Sequence, residues 1–114
     1  MVLQSEIATS ILDSLNTKTY TVEFGYSSTN NYNDDSLDSV IVSAKTIDRI
    51  TIVDNIMTFK FNLELAEGVG STINSYLIRD EDGLAIKKDL FTAFLKTATD
   101  LKEFTARIGI TATV

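Results

Sequence analysis

The sequence predicts a mainly β chain: an antiparallel β-sandwich of about six to seven strands with one N-terminal amphipathic helix. Three observations predict it. After residue 18, apolar and polar residues alternate with a period of two over several stretches, the pattern of strands with one buried face. Turn residues interrupt those stretches at short intervals, as in sandwiches and not in alternating βα folds. Before residue 17 the spacing is helical instead. At 114 residues the chain fits one domain over 1–114, with the helix in 1–16 and the sandwich in 18–114.

Within residues 1–16, Val2, Leu3, Ile7, Ile11, Leu12 and Leu15 recur every three to five positions and mark an apolar stripe. Gln4, Glu6 and Asp13 mark the opposite side, and Asn16 is a reasonable stop. So short an amphipathic helix is marginal alone in water and requires a partner, its own sheet or a neighbouring subunit.

Residues 18–24 read as a strand, with Tyr20, Val22 and Phe24 on the buried side and Gly25 ending it. A long loop over 25–43 follows, densest in Ser, Asn and Asp from Tyr26 to Ser39, and Ser36–Val42 admits a turn of helix or a short strand inside it. Thr46–Val53 and Ile56–Leu65 form a hairpin about Asp54-Asn55, with Met57, Phe59, Phe61, Leu63 and Leu65 alternating against Thr58, Lys60, Asn62 and Glu64. Glu67-Gly68-Val69-Gly70-Ser71 is a turn, and Thr72–Arg79 is the next strand. Asp80-Glu81-Asp82-Gly83 is a hairpin tip, because Gly accepts the positive φ that such turns require. Leu84–Phe94 continues, Lys96–Asp100 is a polar loop, and Phe104 to Val114 alternates, with Thr105, Arg107, Thr111 and Thr113 facing solvent.

Composition narrows the chemistry. Cysteine and histidine are absent, so disulfides, thiolate metal sites, the usual general base and the commonest metal ligand are excluded together. A net charge of −6 repels phosphate backbones, so no nucleic-acid partner is expected. No stretch approaches the ~20 apolar residues of a membrane span, and neither a membrane partner nor a secretory signal is expected.

Asn30, Asn31, Asn33, Asp34, Asp35 and Asp38 gather hard oxygen donors in nine residues, which suits Ca²⁺. Asn33, Asp34, Asp35 and Asp38 are weak candidates, since the spacing does not follow the calcium-loop pattern and a solvated loop explains the composition. Asp80, Glu81 and Asp82 before Gly83 carry a similar hint that turn geometry equally explains. Glu23, Glu64 and Glu103 lie on solvent faces, and no carboxylate pair is singled out for acid–base work. Gly68-Val69-Gly70-Ser71 lacks the lysine and the following helix of a phosphate loop. Lys87-Lys88, the only adjacent basic pair, reads as edge protection. No catalytic residue, metal site or cofactor is expected.

Five stretches, in order, carry a resemblance: Phe24-Gly25-Tyr26-Ser27-Ser28-Thr29, Asp34-Asp35-Ser36-Leu37, Glu67-Gly68-Val69-Gly70-Ser71-Thr72-Ile73, Asp82-Gly83-Leu84-Ala85 and Thr105-Ala106-Arg107-Ile108-Gly109-Ile110-Thr111. From Gly25 onward the chain resembles a small β-domain common in tail proteins of tailed bacteriophages and related prophages. It departs from that family in lacking proline and in having Tyr76-Leu77-Ile78 where a Glu-x-Gly-Leu-Phe step is usual. The resemblance implies a non-enzymatic virion component assembled in the host cytoplasm, a homo-oligomer, trimer or hexamer, that contacts other virion proteins. Interface candidates are Ile7, Ile11, Leu12 and Leu15 on the helix, with Tyr26 and Tyr32 in the loop. The second reading is a sandwich module for carbohydrate or peptide, Ca²⁺-assisted through residues 30–38. There Tyr20, Tyr26, Tyr32 and Tyr76 would supply stacking surfaces.

Overall fold

The computed structural model describes residues 18–31, 34–47, 49–53 and 56–109, of which 49–52 as backbone only. The expected helix, with Ile7, Ile11, Leu12 and Leu15, lies outside the described residues, as do Tyr32, Asn33, the Asp54-Asn55 turn and residues 110–114.

The described residues hold seven strands and no helix: β1 (Tyr20–Tyr26), β2 (Ser39–Ile47), β3 (Arg49–Val53), β4 (Ile56–Leu63), β5 (Thr72–Asp80), β6 (Ala85–Leu95) and β7 (Lys102–Gly109). They form two sheets, β2-β1-β5-β6 and β3-β4-β7, and every pairing is antiparallel. The mainly β, two-sheet architecture expected from alternation is therefore present.

Side-chain alternation explains where the core lies. Tyr20, Val22 and Phe24 of β1 and Met57, Phe59, Phe61 and Leu63 of β4 turn to the same interior as Tyr76 and Ile78 of β5 and Ala106 of β7. Rings interlock across the two sheets. Tyr20 meets Phe59 edge-on at 5.0 Å, Phe24 meets Phe61 at 5.8 Å, and Phe91 of β6 meets Phe104 of β7 at 5.2 Å. β1 thus lies over β4 and β6 over β7. Each such buried apolar side chain contributes roughly 1.5–3 kcal/mol.

Several boundaries differ from the sequence reading: the expected Thr46–Val53 run is divided, Thr46 and Ile47 ending β2 in one sheet and Arg49–Val53 forming β3 in the other, and β4 ends at Leu63, leaving Leu65 exposed. β1 does not end at Gly25 but runs through it to Tyr26. A Cβ at Gly25 would lie 1.8 Å from the Ser39 carbonyl oxygen, so glycine here permits a close backbone crossing inside the ladder and is not a terminator. The long loop expected over 25–43 closes earlier, at Asp38, because Ser39–Ile47 pairs with β1 along its length. The two β-bulges in that pairing break the regular alternation of β2, and the strand is therefore weakly marked in the sequence. The Asp80–Gly83 tip matches expectation. Gly83 has φ 83°, and the Asp80 carboxylate accepts the N–H groups of Asp82 and Leu84 at 2.9 and 3.0 Å, so this acid is used for turn geometry.

Candidate functional site

The outer face of the four-stranded sheet is where polar side chains gather. The β1–β5 ladder pairs Glu23 with Leu77 and Gly25 with Ser75, and the β5–β6 ladder pairs Leu77 with Lys88 and Ser75 with Leu90. These residues alternate with core positions and so point away from the interior. The described residues between β1 and β2, 27–31 and 34–38, cross over them. Leu77 is fully buried and Leu37 is 6% exposed, although neither belongs to the central core.

Hydrogen bonds hold that segment at both ends. The Asn74 carboxamide accepts the Ser27 N–H at 2.8 Å and donates to the Ser27 carbonyl at 2.7 Å, replacing the ladder partner that Ser27 lacks at the end of β1. The Asp38 carboxylate accepts the Ser28 N–H and hydroxyl, both at 2.9 Å. Those two bonds, the N–H first, hold its carboxyl below the usual range. The Asp34 carboxylate pairs with the Lys88 ammonium at 2.9 Å and accepts the Asn31 N–H at 2.9 Å. The Lys88 bond foremost, and then the Asn31 N–H, lower its pKa. Arg79 donates to the Asp35 carbonyl at 2.8 Å and pairs with Glu23 at 3.3 Å.

Of the calcium candidates, Asp34 and Asp38 thus have different partners, and Asp35 contributes its backbone carbonyl to Arg79. Among the described residues no group of three or more acidic side chains is arranged to hold a metal ion. The tyrosines proposed for stacking do not share a surface. Tyr20 and Tyr76 are 2% and 4% exposed in the core, and the Tyr76 hydroxyl donates to the Asp89 carboxylate. Burial, helped by that acceptor, pushes the Tyr76 hydroxyl well above the ordinary phenol range. Tyr26 is exposed at the end of β1. Glu23, expected on a solvent face, is on the outer face but only 12% exposed, because Arg79 covers it.

Sequence reasoning missed Lys88. Neighbouring strand residues point to opposite faces, so Lys87 and Lys88 do not act as a pair. Lys87 lies 3.5 Å from Asp89, whereas the Lys88 side chain is 4% exposed beneath Asp34. A signal existed: Tyr76-Leu77-Ile78 is apolar at consecutive positions, as expected of a strand covered on both faces. Asn30, Asn31, Asp34 and residues 85–88 enclose a recess of about 340 Å³ at this place.

A second feature lies at one end of the two-sheet stack. Tyr26↔Ser39, Thr72↔Leu95 and Leu63↔Lys102 are the terminal pairs of their ladders at that end. The 64–71 and 96–101 connections meet there, with Gly70 N–H donating to the Lys96 carbonyl at 2.9 Å. The Lys96 ammonium donates to the Leu65 and Thr97 carbonyls at 3.2 and 2.9 Å and fastens the two connections together. Among the described residues nine large apolar side chains are exposed, and six of them (Tyr26, Val40, Leu65, Val69, Leu95 and Leu101) belong to this end. The other three, Val53, Ile56 and Leu84, flank the hairpin tips at the opposite end. Compared with protein-family models, curated proteins and solved structures, the chain matches none.

Proposed function

We propose that this chain is a non-enzymatic assembly module that associates with further copies of itself, in keeping with the virion role its sequence resemblance implies. The observation that carries the reading is the uneven distribution of exposed apolar residues. Tyr26, Val40, Leu65, Val69, Leu95 and Leu101 gather at one end of the sheets, and clustered apolar exposure favours protein contacts where scattered exposure does not. Tyr26, an interface candidate from the sequence, is among them. The net charge of −6 keeps copies apart elsewhere, so association is directed to the end where apolar burial offsets repulsion. Buried Lys96 supports the same reading, because it makes the two connections a firm platform that loses little entropy on contact. A closed ring, trimer or hexamer, is the expected form.

Light scattering on the whole chain tests this, repeated with a Leu95→Lys, Leu101→Lys double substitution and with residues 1–16 removed. An oligomer that falls to monomer in the double variant places the contact at the apolar end. One that dissociates only on truncation moves the contact to the N-terminal segment. A wild-type chain that stays monomeric at high concentration discards self-association.

A further inference from the structure

We infer that the recess between Asn30, Asn31 and Asp34 on one side and the start of β6 on the other binds an uncharged polyhydroxyl ligand, a saccharide unit. Its volume of about 340 Å³ falls at the small end of ligand sites, which run from about 300 to 1,000 Å³. The donor inventory is unbalanced in a way that favours a hydroxyl-rich guest. The Lys88 side chain is 4% exposed, yet among the described residues its ammonium, with three donors, has one partner, Asp34 at 2.9 Å. A buried cation with unused donors calls for further acceptors.

The rest of the lining supplies what vicinal hydroxyls need. The Asn30 and Asn31 carboxamides each offer a donor and an acceptor, and the Asp34 carboxylate accepts. Charge argues against an anionic guest. Asp34 offsets Lys88 and, at 3.5 Å, Asp89 offsets Lys87, so an anion meets no excess positive charge and has to displace Asp34. A neutral ligand bridges Lys88 and Asp34 without separating them. The Ala85–Ile86 step completes the wall. The recess adjoins the β5–β6 hairpin, at the end opposite the exposed apolar cluster. Ligand binding and self-association are therefore independent, and either stands if the other fails.

The test is a titration of the ¹⁵N-labelled whole chain, followed by amide shifts, with glucose, galactose, mannose, N-acetylglucosamine and their disaccharides. Sodium sulfate at matched ionic strength serves as the anion control. The expected result is saturable shifts confined to Asn30, Asn31 and residues 85–88 with at least one sugar. The Asn30→Ala, Asn31→Ala double variant, whose exposed substitutions keep the fold, weakens binding by roughly tenfold, as the loss of two hydrogen bonds implies. Lys60→Ala, on the other sheet, leaves it unchanged. Absence of saturable shifts across the panel overturns the inference. So do shifts lying elsewhere, shifts given by sulfate alone, or a double variant that binds as well as the wild type.

Discussion

On the outer face of the three-stranded sheet, Thr58, Lys60 and Asn62 of β4 stand beside Glu103, Thr105 and Arg107 of β7, all exposed or half-exposed. On the outer face of the four-stranded sheet, Leu77 has no exposure and Glu23 is 12% exposed. Both sheets obey the same period of two, yet their outer faces meet different surroundings. The difference comes from a connection. Among the described residues no segment crosses the outer face of β4 and β7, whereas residues 27–31 and 34–38 lie across their own sheet and are fastened there by Asn74, Asp38, Lys88 and Arg79. Alternation therefore tells which side chains share a face, and a crossing segment decides whether that face is wet.

Substitutions sharpen this contrast, the largest effect first. Leu77→Ala should destabilise the fold by about 2–5 kcal/mol, as in a central core, because the site is closed on all sides. Equilibrium denaturation measures it, and a loss under ~0.5 kcal/mol would show that the covering segment adds no second core. Gly25→Ala should cost about 1–3 kcal/mol, since its Cβ meets the Ser39 carbonyl oxygen at 1.8 Å and Leu37 Cδ1 at 3.2 Å. A neutral outcome would mean that the crossing relaxes freely.

Acid provides the next test. Asp34 and Asp38 titrate below their ordinary value in the folded chain, so over that window the unfolded chain binds more protons. Their contribution is complete above the unfolded carboxyl range near pH 4 and is lost as pH falls through the lower folded values. Thermal unfolding should therefore shift to lower temperature below about pH 4, and Asp34→Asn should flatten that slope. In the same series, Asp38→Ala should speed hydrogen exchange at the Ser28 amide, which donates to Asp38, and leave β4 amides protected. Uniform acceleration would show that the segment opens only with the whole fold. The smallest effect belongs to the bare face: Lys60→Ala should change stability by less than about 0.5 kcal/mol.

Much of this was readable before any coordinates. The inward set of β1 and β4 followed from alternation, and the Asp80–Gly83 tip from the demand of a hairpin for glycine. β2 was hidden by its bulges, and Gly25 looked like a stop because a close backbone crossing leaves no trace in the residues it joins. The calcium candidates and the tyrosines were judged by composition, which counts oxygens and rings but not their directions. Asp34 and Asp38 went to different partners, and Tyr20 and Tyr76 went to the core.

The sequence by itself determined where β1, β4, β5 and β7 run, which side of β1 and β4 is apolar, and that neither thiol nor imidazole chemistry is available. These are local properties, set by side-chain type and by the period of the extended backbone. Tertiary structure alone decided that Lys88 is buried while Lys87 is not, that the 64–71 and 96–101 connections meet over Lys96, and that six exposed apolar residues share one end. Each depends on how distant strands stack and where a connection crosses, and a one-dimensional pattern does not encode those distances.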